Sequence, residues 1–159
     1  MKIKLYPVFE FGFAVCSFLV GSGIYLCLRN TNLEMFKIFS NGLPSWVLCL
    51  RSFFSSYDVP DFIKFSLPDG LWLFSYLLII DSIWHDQKSK IYLFFLTILP
   101  TSALLSEVLQ MFMLFPGVGD WTDILFYILS IVFFLIIKIY SLWNSLKSYV
   151  LRLSFAYLF

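Results

Sequence analysis

The sequence has little charge. Only 13% of its 159 residues are charged, whereas a soluble domain carries about a quarter. Because 60% of the residues are hydrophobic, the chain cannot cover its surface with polar groups. In water it would expose apolar patches far larger than soluble monomers tolerate. Much of its surface must therefore face lipid, and the bilayer is its first expected partner.

Several kinds of chemistry are also missing. The net charge of +1 provides no basic field, which argues against nucleic-acid binding. Cys16, Cys27 and Cys49 form no C-x-x-C pair and lie in apolar stretches, and His85 is the single histidine, so we expect no metal site and no cofactor. No Gly-rich phosphate loop, nucleophile elbow or H-E-x-x-H helix occurs. An enzymatic role is therefore not favoured.

Long apolar runs are abundant instead. A spanning helix needs about 20 mainly apolar residues, and polar or Gly/Pro breaks separate four such runs, at residues 5–28, 67–84, 91–115 and 122–143. They predict an all-α polytopic membrane protein, a bundle of about four transmembrane helices in one domain over residues 1–159. Pro7 and Glu10 interrupt the first run, so we expect it to remain as a span and not to be cleaved as a leader.

Two further segments are apolar but interrupted by charge. Residues 43–57 contain Arg51, which favours an interfacial or re-entrant helix between the first and second spans. Residues 144–159 contain Lys147 and Arg152, and this tail is expected to rest on the membrane or to pack against a partner.

Lysine and arginine are distributed unequally between the two sides of the predicted bundle. With the amino terminus inside, seven of them lie on the inner side and four on the outer side. Because positive residues favour the cytoplasm, this bias predicts a multi-pass protein of the inner membrane with both termini cytoplasmic.

Five polar residues are predicted to meet at the outer end of the spans. Glu107 and Gln110 lie three apart on one face of the third span, Asp69 begins the second, and Asp120 and Asp123 lie in the turn before the fourth. Since polar groups inside a membrane are costly, we predict a ligand-binding cluster. Carboxylates can also hold a divalent cation that bridges to a phosphate headgroup, although none of them is assigned as a metal ligand.

Structural roles compete with ligand binding at these positions. Asp120 and Asp123 can cap the fourth helix or interact with its dipole, and Glu107 and Gln110 can hydrogen-bond neighbouring helices. Near the other end, Asp81 can pair with the hydrophilic turn that follows it, and Glu10 can pair with one of the lysines near the amino terminus.

The stretch SEVLQMFMLFPGVGDWTDILFYILS resembles the VanZ-like family of small bacterial membrane proteins. That family shows a Glu, a Gln three later, a Pro-Gly turn and an Asp that opens the last helix, matched here by Glu107, Gln110, the PG pair at residues 116–117 and Asp123. LPDGLWLFSYLL resembles its preceding helix, and the likeness covers roughly residues 67–137. The chain departs where the family has an Arg after the turn and an Asn in the last helix, because Val118 and Tyr127 stand there.

The resemblance implies a divergent cell-envelope protein that recognises a lipid-linked or phosphate-bearing ligand through the outer acidic cluster. The alternative is a non-enzymatic subunit that oligomerises, or binds another membrane protein, as a pore, scaffold or partner-binding module. A transporter is a third possibility, but no inverted repeat supports it.

Overall fold

The computed structural model describes residues 5–31, 36, 42–84 and 89–156. Over these residues the chain contains no strand and forms five helices: α1 (Leu5–Leu28), α2 (Ser45–Phe54), α3 (Asp61–Ile83), α4 (Lys90–Met111) and α5 (Trp121–Ala156). The prediction of an all-α fold is therefore confirmed. The turn containing His85 and Lys88 lies outside the described residues, as do Lys2 and Lys4.

Four of these helices are long and apolar enough to cross a membrane. The candidate spans are Val8–Leu28, Asp61–Ile83, Lys90–Met111 and Trp121–Asn144. The remaining helix, α2, is the short apolar helix expected between the first and second spans, and it lies within the predicted segment 43–57. Large apolar side chains cover the outside of the bundle. The chain is thus a small multi-pass membrane protein.

Two helices are longer than the hydropathy pattern predicts. α3 begins at Asp61, six residues before the predicted run, and Pro68 lies within the helix without ending it. Proline is tolerated in membrane helices, where neighbouring groups satisfy the freed carbonyl. α5 has 36 residues, or about 54 Å at about 1.5 Å per residue. It therefore continues beyond Asn144 into the tail, up to Ala156.

α3 is the central helix, and α1 packs antiparallel to it. The Ser75 hydroxyl donates to the Ala14 carbonyl (2.8 Å), and the Trp72 indole donates to the Ser22 hydroxyl (3.1 Å). Such hydrogen bonds hold helices together where lipid offers no polar partner. The buried apolar core lies along this contact and includes Ala14, Leu73, Leu77, Leu78 and Phe134.

α5 packs parallel to α3. The hydroxyls of Ser66 and Thr122 lie 2.7 Å apart. One turn further along α3, the Gly70 carbonyl accepts a hydrogen bond from the Ser130 hydroxyl at 2.6 Å. A Cβ at Gly70 would lie 3.1–3.2 Å from Phe126 and Ser130. The missing side chain therefore allows α3 and α5 to approach closely.

α4 lies at the edge of the bundle. It contacts α3 through the Tyr76 hydroxyl, which donates to the Phe95 carbonyl, and it contacts the start of α5 through the turn that joins the two helices. Its other side exposes Phe94, Ile98 and Leu105. α4 is consequently held by fewer interactions than α1, α3 and α5.

Replacing Gly70 should weaken the contact between α3 and α5. We expect Gly70→Val to lower the free energy of unfolding by about 1–3 kcal/mol, the usual cost of overpacking, in denaturant titrations of the purified protein in detergent. Gly12→Val is the matched control, because a Cβ at Gly12 has no neighbour within 4 Å. Equal losses in the two variants would contradict the close helix approach.

Candidate functional site

The predicted site residues all lie at one end of the bundle. We call this the turn end, because it carries the α4–α5 turn (residues 112–120), and we call the opposite end, where α1 and α4 begin, the amino end. At the turn end α1 ends, α3 and α5 begin, and α4 ends. The antiparallel order of the helices thus collects Asp69, Glu107, Gln110, Asp120 and Asp123 at the same level.

Asp69 lies in the third turn of α3 and is paired with Arg29. An oxygen of Asp69 lies 3.9 Å from a guanidinium nitrogen of Arg29, and both side chains are partly exposed. Arg29 also donates to the Phe65 carbonyl and stacks over the rings of Phe65 and Tyr25. Sequence reasoning missed Arg29, which supplies the positive charge of the acidic cluster.

Glu107 and Asp123 lie close enough to Asp69 for their charges to act on it. All three carboxylates also act on Tyr127 of α5. Among the described residues, one buried oxygen of Asp123 has no hydrogen-bond donor, and the buried Nε of Arg29 has no acceptor. The cluster therefore contains one acceptor and one donor that remain to be satisfied.

Glu107, Gln110 and Asp120 also build the turn itself. The buried Glu107 carboxylate accepts from the Asp120 amide at 3.2 Å, and Asp120 accepts from the Thr122 amide at 2.9 Å, which caps α5. Gln110 fills the space beside Gly117, where a Cβ would lie 2.7–2.9 Å from its amide group. The capping role is thus confirmed for Asp120, and Asp123 stands in the first turn of α5.

The carboxylates do not form a cradle for a metal ion. Over the described part of the chain, no three His, Cys, Asp or Glu side chains lie close enough together to hold one. Asp69 instead pairs with Arg29, and Glu107 and Asp120 accept from backbone amides.

A basic cavity lies beside this cluster. It has a volume of about 440 Å³ and is lined by Cys27, Leu28, Arg51, Ser52, Phe54, Ser55, Tyr57, Val59 and Lys64. Arg51 donates to the carbonyls of Leu26 (2.5 Å) and Arg29 (2.6 Å), so it caps the end of α1. Arg29 thereby joins the basic cavity to the acidic cluster: its carbonyl accepts from Arg51 and its side chain pairs with Asp69.

An apolar cavity of about 360 Å³ adjoins the basic one. It is lined by Val20, Gly23, Ile24, Cys27, Leu28, Leu50, Phe54, Val59 and Ile63. Four lining residues belong to both cavities, namely Cys27, Leu28, Phe54 and Val59. The two cavities therefore share a wall, and the apolar one extends between α1 and α2 as far as Ile63 of α3.

A second ionic cluster, at the amino end, was also missed. Lys138 of α5 lies 2.9 Å from Glu10 of α1 and forms an ion pair with Asp81 of α3. Tyr92 of α4 donates its hydroxyl to Asp81 at 2.7 Å. The predicted spans put these four residues at a similar depth in the bilayer. Which of them pair depends on how each helix is rotated, and hydropathy does not specify rotation.

No family model, curated protein or solved structure matches the chain. The likeness to VanZ-like proteins therefore stays a prediction that rests on the short sequence pattern.

Glu107 offers a test of how the turn is held. We expect Glu107→Ala to lower the free energy of unfolding in detergent by about 1–3 kcal/mol, because the Asp120 amide loses its acceptor. Glu107→Gln keeps an oxygen at the same place and should lose less than half as much. If the two variants were equally stable, the hydrogen bond to Asp120 would not be what fixes the turn.

Proposed function

We propose that this chain is a VanZ-like protein of the bacterial cell envelope that recognises a lipid-linked, phosphate-bearing ligand at the turn end. The observation that carries the proposal is that the basic cavity and the apolar cavity adjoin and share four lining residues. A lipid has the same two parts in the same order, an anionic headgroup joined to hydrocarbon. Binding needs no catalytic residue, and none is assigned.

The basic cavity suits the phosphate. Arg51 and Lys64 supply positive charge, and Ser52, Ser55 and Tyr57 supply hydroxyl donors along the same wall. Charge-assisted hydrogen bonds to phosphate are stronger than bonds between neutral groups. The cavity also lies at the end of the spans, which is where headgroups sit in a bilayer.

The acidic cluster suits the part of the headgroup beyond the phosphate. The partly exposed side chain of Asp123 can accept from a ligand hydroxyl or amine, and the partly exposed guanidinium of Arg29 can donate to a ligand oxygen. Asp69 pairs with Arg29, which joins the acidic cluster to the basic cavity. Glu107, Gln110 and Asp120 contribute by fixing the turn that carries Asp123.

Orientation is part of the proposal. The excess of lysine and arginine on the side of the amino end favours a cytoplasmic location for that end. The turn end would then face the outer leaflet of the inner membrane, with both termini in the cytoplasm.

Lipid retention tests the headgroup site. In native mass spectrometry of the full chain in detergent, we expect dioleoyl-phosphatidylglycerol to be retained over dioleoylglycerol, which has the same tails without phosphate. Lys64→Gln should weaken phosphatidylglycerol binding by about tenfold, which corresponds to about 1.4 kcal/mol. Lys147→Gln, the same change at an exposed position of α5, should have no effect. Equal retention of the two lipids would contradict the proposal.

Labelling of single cysteines tests the orientation. With Cys16, Cys27 and Cys49 replaced by serine, Val118→Cys at the exposed turn should react with a membrane-impermeant maleimide added to spheroplasts. Asn144→Cys, exposed at the other end of the membrane span of α5, should react only after the membrane is permeabilised. The reverse pattern would place the turn end in the cytoplasm and remove the outer-leaflet site.

A further inference from the structure

The apolar cavity beside the basic one extends along α1 into the depth of the membrane. Its wall on this helix runs from Leu28, which also lines the basic cavity, to Val20. At about 1.5 Å per residue this stretch of helix is about 12 Å long, and both residues belong to the candidate span Val8–Leu28. The hydrocarbon of one leaflet is about 15 Å deep. The cavity therefore covers most of the depth that a lipid chain occupies in the leaflet at the turn end.

The lining of this cavity is suited to hydrocarbon. Val20 and Ile24 of α1 and Leu50 and Phe54 of α2 contribute to its walls. The Cys27 thiol is the single polar side chain among the described lining residues, and a buried free cysteine behaves as a small apolar group. Hydrocarbon in the cavity would therefore meet apolar side chains along its whole length.

The volume of the cavity limits how much hydrocarbon it can hold. It measures about 360 Å³, and a methylene group is about as large as a water molecule in the liquid, about 30 Å³. The cavity thus has room for about twelve methylene groups, which is most of one long chain. Two chains of about 18 carbons each would need about three times this volume.

A second apolar cavity does not add room for the same ligand. It measures about 330 Å³ and is lined by residues of α1, α3 and α5, among them Phe13, Gly70 and Phe133. None of its described lining residues also lines the basic cavity. It therefore offers no place for another chain of a lipid whose phosphate lies in the basic cavity.

We propose that the ligand of the turn end is a phosphate-bearing lipid with a single hydrocarbon chain. The proposal rests on the proposed headgroup site and specifies how many chains accompany the phosphate. The phosphate lies beside Arg51 and Lys64 in the basic cavity. The chain passes the four residues that the two cavities share and extends along α1 toward Val20. The second chain of a two-chain lipid stays outside the site and adds nothing to the affinity.

A comparison of lipids with one and two chains tests the chain number. In native mass spectrometry of the full chain, 1-oleoyl-lysophosphatidylglycerol and dioleoyl-phosphatidylglycerol are offered at equal mole fraction in the same detergent micelles. We expect the one-chain lipid to be retained at least as strongly as the two-chain lipid, because the site contacts one chain. Stronger retention of the two-chain lipid would overturn the proposal. This comparison uses the unaltered chain and does not depend on the folding of a variant.

Gly23 allows the apolar cavity to be filled. It lines the cavity, and a Cβ at this position has no neighbour within 4 Å. Leucine also favours a helix more than glycine does. We expect Gly23→Leu to weaken retention of 1-oleoyl-lysophosphatidylglycerol by about tenfold, because the leucine side chain occupies the space of the hydrocarbon chain.

Gly12→Leu is the matched control for this variant. A Cβ at Gly12 likewise has no neighbour within 4 Å, and Gly12 is not among the described lining residues of the apolar cavity. Retention of the one-chain lipid should therefore equal that of the unaltered chain. Unchanged retention in folded Gly23→Leu protein would refute a chain site along α1.

The neutral lipid 1-oleoylglycerol separates this proposal from the headgroup site on which it rests. It has the same chain as the lysophospholipid but no phosphate. Equal retention of these two one-chain lipids would refute the phosphate site and with it the proposed function. Preferential retention of the phosphate-bearing lipids, combined with stronger retention of two chains than of one, would leave the proposed function standing and overturn the single-chain ligand alone.

Discussion

The bilayer offers no hydrogen bonds to a polar group in its interior, and this constraint accounts for most of the arrangement of this protein. Serine hydroxyls of α3 and α5 donate to backbone carbonyls across helix contacts, as Ser75 does to Ala14 and Ser130 to Gly70. Charged side chains cluster with one another at the two ends. The apolar side chains are left to face outward, where lipid accepts them.

Each spanning helix contributes a polar group toward each end of the bundle. The pairs are Glu10 of α1 with Arg29 directly after its last residue, Asp81 and Asp69 of α3, Tyr92 and Glu107 of α4, and Lys138 and Asp123 of α5. On α3 the two groups are about 18 Å apart along the axis, at about 1.5 Å per residue. The apolar core around Leu77 and Leu78 separates them, so the two ends are chemically independent sites.

The sequence predicted the spans well, because a helix that contacts lipid needs a long run of apolar residues and such a run is visible in the sequence. It also placed Glu107, Asp120 and Asp123 at one end, because helices that alternate in direction must bring alternate termini together. It did not predict that Arg29 pairs with Asp69 or that Lys138 joins Glu10 to Asp81. Those contacts depend on which helices are neighbours and how each is rotated, and a nearly uniform apolar surface specifies neither. The prediction also started α3 six residues late, because the apolar run begins only after the charged residues Asp61 and Lys64.

α5 contains neither proline nor glycine between Trp121 and Ala156. Kinks in long helices occur mainly at such residues, so α5 has no sequence position suited to a hinge. Its first turn carries Asp123 beside the basic cavity, its middle carries Lys138, and its last residues extend past the span. A tilt or axial shift of the first turn would consequently also move the far end of the helix. A structural change on one side of the bilayer would thereby be transmitted to the other side.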